Sequence, residues 1–195
     1  MTEREPTSGQ GLGPTPGAEG DPAPAKRPVT ILAGPYGHPI HPALVAVPIG
    51  AWVAAFVFDL GSHVVSSPGY LSEGARWLIV IGIIGALAAA CAGFLDLFAI
   101  PTRTAAHSTA LLHMSLNLAV TVAYAVNFLL RNGGETGPVG WGPLVLSAVS
   151  LAVLATSGYL GGKLAYAYGV RVADENTQAA GFRTPNADSR TRTTT

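Results

Sequence analysis

Charge is what this sequence has least of. Asp, Glu, Lys and Arg make up 11% of its 195 residues, less than half the roughly 25% of an ordinary soluble domain. The net charge is zero and no dense basic run occurs, which excludes a nucleic-acid footprint. The single cysteine, Cys91, excludes an internal disulfide and a chain-borne iron–sulfur cluster, and identifies no metal site. The N-terminus lacks a basic stretch leading into an apolar core, so a cleaved signal peptide is not expected. No nucleophile–base pair or paired catalytic carboxylates can be defended, and Gly161–Gly162 lies in an apolar run, not a P-loop. No enzyme assignment follows from the sequence.

What is present is long apolar sequence. Four runs, about His41 to Leu60, Trp77 to Ile100, Ala105 to Leu130 and Trp141 to Ala167, each approach or exceed the ~20 residues that cross a ~30 Å hydrocarbon core. Charge is sparse on all sides of these runs, which suits lipid and not water. SSPGYLSEG, Pro101 and NGGETGPVG mark the breaks. Trp77 and Trp141 open their spans as interfacial anchors do. Pro42 suits a helix N1 position, and Pro48 predicts a local kink. Gly85, Ala89 and Gly93, and again Gly158 and Gly162, set small residues four apart, a spacing that lets helices approach closely in lipid.

The expected fold is therefore all-α: a four-helix transmembrane bundle over residues 36–172, with disordered tails at 1–35 and 173–195 that are too polar or too rich in Gly and Pro to fold. Basic residues near the span ends favour Lys26, Arg27, Arg103, Lys163 and Arg171 on one side, against Arg76 and Arg131 with nearby Glu73 and Glu135 on the other. By the positive-inside rule, both termini are expected in the cytoplasm and the protein in the inner membrane.

Ionisable residues within a span are costly and are candidates for function. Here they are Asp59, Asp96, His107, His113 and Lys163, with His38 and His41 at the first entry and His63 past its exit. Most gather toward the cytoplasmic half, with Asp59 and His63 opposite. On the third span His113, Asn117, Tyr124 and Asn127 fall within about 40° around a helix of 3.6 residues per turn, forming a stripe aimed into the bundle with Asp59 as a further interior polar group. His107 points nearly the other way. Depth counted from the span ends places His113 about 10 Å below the membrane entry, and so well below His41. Structural roles stand beside functional ones. His113 could bond Asp96 or a carbonyl, His38 and His41 could be turn and cap residues, and Lys163 could extend to the headgroups.

The runs GPYGHPIHPALVAVPIGAWVAAFVFD, GFLDLFAIP, TAAHSTALLHMSLN and SGYLGGKLAYAYGVRV resemble a bacterial membrane family, domain of unknown function 2231, from Tyr36 to Val172. On its motif fall His38, Pro39, His41, Pro42, Asp59, Asp96, His107, His113, Asn117, Gly161, Gly162 and Tyr168. The resemblance implies a four-helix membrane unit and, for some relatives, company with Rieske-type or cytochrome-like proteins.

The open readings are a cofactor-free module organised by a His/Asp cluster, a haem b protein with His41 and His113 as axial ligands, a transition-metal or proton site of His38, His41 and His107 with Asp96 as orienting carboxylate, and a transporter, disfavoured because no inverted repeat is evident. The expected partners are the lipid bilayer and a separate redox protein such as a Rieske-type module, with no nucleic acid; homo-oligomerisation stays open.

Overall fold

The computed structural model describes residues 26, 40–131 and 136–182. The regular elements among them are α1 His41–Leu44, α2 Ala46–Ser62, α3 Gly69–Leu97, α4 Ala105–Leu130, α5 Trp141–Tyr166 and α6 Glu175–Gly181. With α1 and α2 counted as one span, four helices are long and apolar enough to cross a membrane. The protein is an all-helical membrane protein, and the first and third spans run in the same direction.

Local chemistry sets most of the element ends. Pro42 occupies the first turn of α1. The helix is interrupted at Val45, three residues before Pro48, whose ring lacks the N–H that would close the preceding turn. Thr104 caps α4 by accepting from the His107 amide at 3.1 Å and anchors itself on the Pro101 carbonyl at 2.8 Å.

Two boundaries depart from the sequence expectation. The second span begins at Gly69, eight residues before Trp77. The polar stretch GYLSEGAR winds two further turns onto the apolar core, burying Ser72 and Ala75 on its inner face. In the C-terminal segment expected to be disordered, Asp174 accepts from the Thr177 amide at 2.9 Å and α6 follows. The remainder of both tails, with His38, lies outside the described residues, apart from Lys26.

The bundle is apolar outside and small inside. Val53, Val57, Ile84, Leu118, Val122 and Val145 are each more than 45% exposed, which is the surface a lipid environment solvates. Between helices in lipid there is little hydrophobic drive, so close packing must hold them. The first two spans achieve it through small residues on α3. A Cβ on Gly82 would run into the Trp52 indole, and one on Gly85 would stand 2.7 Å from Val47. Gly158 and Gly162, expected to do the same on α5, face open space. One apolar cluster centres on Trp52, Ile79, Val120 and Tyr124; a second, of Ile100, Ala110 and Leu164, closes the end where the chain enters and leaves.

Candidate functional site

The first and third spans meet along one line. His41 and His113 have ring centroids 6.4 Å apart at an interplanar angle of 84°. Trp52 and Tyr124 stack at 4.2 Å and 10°. Asp59 and Arg131 form a two-pronged ion pair, Nη1 to Oδ1 at 2.8 Å and Nη2 to Oδ2 at 2.6 Å. Each rung pairs residues 72 positions apart, 41 with 113, 52 with 124 and 59 with 131. The steps of 11 and 7 residues are about three and two helical turns at 3.6 residues per turn, so the rungs lie on one face of each helix.

The second and fourth spans hold the histidines from behind in the same way. His41 Nδ1 lies 2.8 Å from the Ala89 carbonyl, and His113 Nδ1 lies 2.8 Å from that of Ser157. A carbonyl only accepts, so in both rings Nδ1 carries a proton, and in His113 the Asn117 amide, a donor, lies against Nε2. Four residues further on, Gly93 and Gly161 give the rings room: a Cβ there would stand 2.9 Å from His41 Cε1 and 3.1 Å from His113 Cε1. Ala89 and Ser157 are 68 apart, as are Gly93 and Gly161. The two helical hairpins thus carry the same fixtures, related by an approximate two-fold axis along the bundle that passes between the imidazoles.

This corrects the depth expected for the pair. The first span starts well inside the level at which α3 ends, because His41 meets Ala89 and Gly93 and not the last turn before Leu97. Counting depth from each helix's own end therefore separates two rings that are neighbours. On the third span Asn117 flanks His113, with Nδ2 3.1 Å from Nε2 and 2.9 Å from the His113 carbonyl. His113 bonds Ser157 and Asn117, not Asp96.

The metal set of His38, His41, His107 and Asp96 is not assembled. Among the described residues no three His, Cys, Asp or Glu side chains come together to hold an ion, and His38 lies outside them. Asp96 is instead ion-paired to Arg171 Nε at 2.8 Å. His107 sits in the first turn of α4, its ring Nδ1 buried without a hydrogen-bond partner among the described residues. Lys163 extends over the Tyr168 ring at 5.4 Å.

Asp59 is not hydrated near the surface; it is fully buried with Arg131. Arg131 Nε donates to Asn127 Oδ1 at 2.8 Å, while Asn127 Nδ2 donates to the Pro143 carbonyl and to Ser147 Oγ. Ser62 Oγ donates to the Asp59 carbonyl and accepts from the Val139 amide. Arg131 escapes a sequence reading because it stands one residue past an apolar run and counts as a loop charge. The signal that finds it is the spacing: Asp59 lies 18 residues after His41 and Arg131 lies 18 after His113, five full turns in each case.

Comparison with curated proteins and with solved structures gives no match. A family model described as a predicted membrane protein, DUF2231, matches residues 37–174, which takes in all four spans and every rung between the first and third. The chain belongs to that family.

Proposed function

We propose that this protein is a membrane electron-transfer module that holds one haem b between His41 and His113. The observation that carries the reading is the separation of the two imidazoles. With metal–nitrogen bonds of about 2 Å and each ring centroid roughly 1 Å behind its nitrogen, two imidazoles held by one iron have centroids about 6 Å apart; here they are 6.4 Å apart.

Three further features support it. Each Nδ1–H is tied to a backbone carbonyl, the kind of bond that fixes tautomer and ring orientation in histidine ligands. Gly93 and Gly161 leave the room behind each ring that a Cβ would fill. Two histidines alone make a poor site for a bare ion, whereas a tetrapyrrole brings its own four equatorial nitrogens. Asn117, whose Nδ2 now contacts His113 Nε2, gives up that contact and keeps its bond to the His113 carbonyl. When bound, the haem supplies reversible one-electron chemistry; the chain's residues orient the ligands and exclude water.

The orientation follows from charge. Arg131 is consumed in the bundle, and Arg76 is paired with Glu73 and lies over the Phe128 ring at 4.8 Å. Arg103 and Lys163 remain exposed at the opposite end, with the N-terminal Lys26–Arg27 pair in sequence beside it. That end is cytoplasmic by the positive-inside rule, in the inner membrane, with both termini inside. A partner that delivers or takes single electrons, such as a Rieske-type protein, fits this role.

The test is a visible-region spectrum of detergent-purified protein from iron-replete cells, with pyridine haemochrome analysis. A low-spin b-type spectrum, abolished by either His41→Ala or His113→Ala, is expected. Wild-type protein without a Soret band overturns the reading and leaves the cofactor-free module, with the histidines acting only as interhelical hydrogen-bond donors.

A further inference from the structure

Two non-glycine residues among those described adopt a positive φ, Arg103 at 63° and Arg171 at 59°. A left-handed backbone is disfavoured for a residue with a Cβ, and such conformations persist where surrounding structure holds them, often at functional positions. The two arginines are 68 apart, the same offset that relates Ala89 to Ser157 and Gly93 to Gly161. Each stands ten residues past the glycine behind its hairpin's imidazole. They are therefore counterparts about the approximate two-fold axis, just beyond the ends of α3 and α5, at the end of the bundle nearer the histidine pair.

We propose that Arg103 and Arg171 are paired receptors for the two carboxylates of the tetrapyrrole. The proposal rests on the haem reading. The two propionates of haem b leave one edge of the ring, placed symmetrically about a line through the iron. A ring seated between His41 and His113 lies on the bundle's approximate axis, so each hairpin meets one half of that edge. Two carboxylates so placed call for two cations related by the same axis, and the chain carries the same residue in the same unusual backbone conformation at both positions.

The two sites differ in one respect. Arg171 is held by Asp96 through Nε at 2.8 Å, with its side chain 4% exposed. The position equivalent to Asp96 in the second hairpin is Leu164, which is apolar, and Arg103 is exposed with no carboxylate paired to it among the described residues. Arg171 is thus a pre-oriented receptor, and Arg103 is the more accessible one. A guanidinium suits the task because its planar fork matches a carboxylate.

The experiment uses the full chain, stripped of haem in detergent and reconstituted with haem b or with its dimethyl ester, which lacks both carboxylates. Haem loss to excess apomyoglobin and the midpoint potential are measured for wild type, Arg103→Gln, Arg171→Gln and the double variant. With haem b, Arg103→Gln is expected to speed loss about fivefold, as removal of an exposed ion pair does, and Arg171→Gln at least as much. Each also lowers the potential, because a nearby cation favours the reduced iron. With the ester, the loss rate of Arg103→Gln is expected to match wild type, while its potential still falls. Since Arg171→Gln also leaves Asp96 unpaired, Arg103→Gln decides. Unchanged loss with haem b, or an equal change in loss with haem and ester, overturns this proposal and leaves the haem reading standing. Wild type that takes up neither compound removes both.

Discussion

The two ends of the ladder between the first and third spans are built on the same helix faces at the same offset, yet they are opposites. At the Asp59–Arg131 end the charges are internally matched: both carboxylate oxygens meet the guanidinium, Nε is on Asn127, and Asn127 in turn ties down Pro143 and Ser147. At the histidine end only the outer nitrogens are committed to backbone, and Nε2 of His113 has nothing stronger than an amide beside it. A saturated polar group is a clamp, and one left without a strong partner is open to a ligand. Fixing one end firmly is what allows the other to remain chemically unfinished.

The sharpest way to break that contrast is to remove one member of the clamp. Asp59→Ala strands a buried guanidinium and is expected to cost about 3–5 kcal/mol, read as a drop in detergent thermal unfolding. Replacing both partners together, Asp59→Leu with Arg131→Met, should recover most of that loss. A full loss in the double variant would mean that the surrounding network, and not the stranded charge, sets the cost. Next is Gly82→Val, which places a branched side chain where the Trp52 indole packs; overpacking of about 1–3 kcal/mol is expected by the same assay.

His113→Ala sharpens the comparison from the other end. It forfeits a neutral hydrogen bond of about 1 kcal/mol, so against haem-free wild type its stability should barely move, while the visible spectrum is lost. A stability loss as large as that of Asp59→Ala would place the histidine among the clamps. The smallest effect concerns Tyr168, outside the spans. Its hydroxyl is held below the usual tyrosine range by hydrogen bonds from Lys163 and Thr109 and by the Lys163 charge. A depressed folded-state value means that the contribution is present at high pH and fades as pH falls through it. Lys163→Met should return the Tyr168 titration toward about 10, followed by ultraviolet difference absorbance.

Much of this architecture is legible in composition and periodicity. The third span is bounded as expected, and the stripe of His113, Asn117, Tyr124 and Asn127 points inward because four polar residues at helical spacing have no comfortable place in lipid. The repeat is harder to read. Between residues 41–59 and 113–131 the aligned identities are His41/His113, Leu44/Leu116, Ala51/Ala123 and Phe56/Phe128, too few to stand out among apolar helices that resemble one another by composition. Attention to inverted repeats also misses a parallel one. The remaining errors are geometric: span starts are not level, and a charge one residue beyond an apolar run can fold back into it.

The ion pair that closes the ladder also bears on how such a protein can be assembled. Two copies of the first hairpin alone, arranged about the same axis, would set Asp59 against Asp59 in a dry interior; two copies of the second would set Arg131 against Arg131. Neither homodimer could keep that rung charged. The complementary signs make the halves obligate unlike partners, and joining them in one polypeptide guarantees that each finds the other.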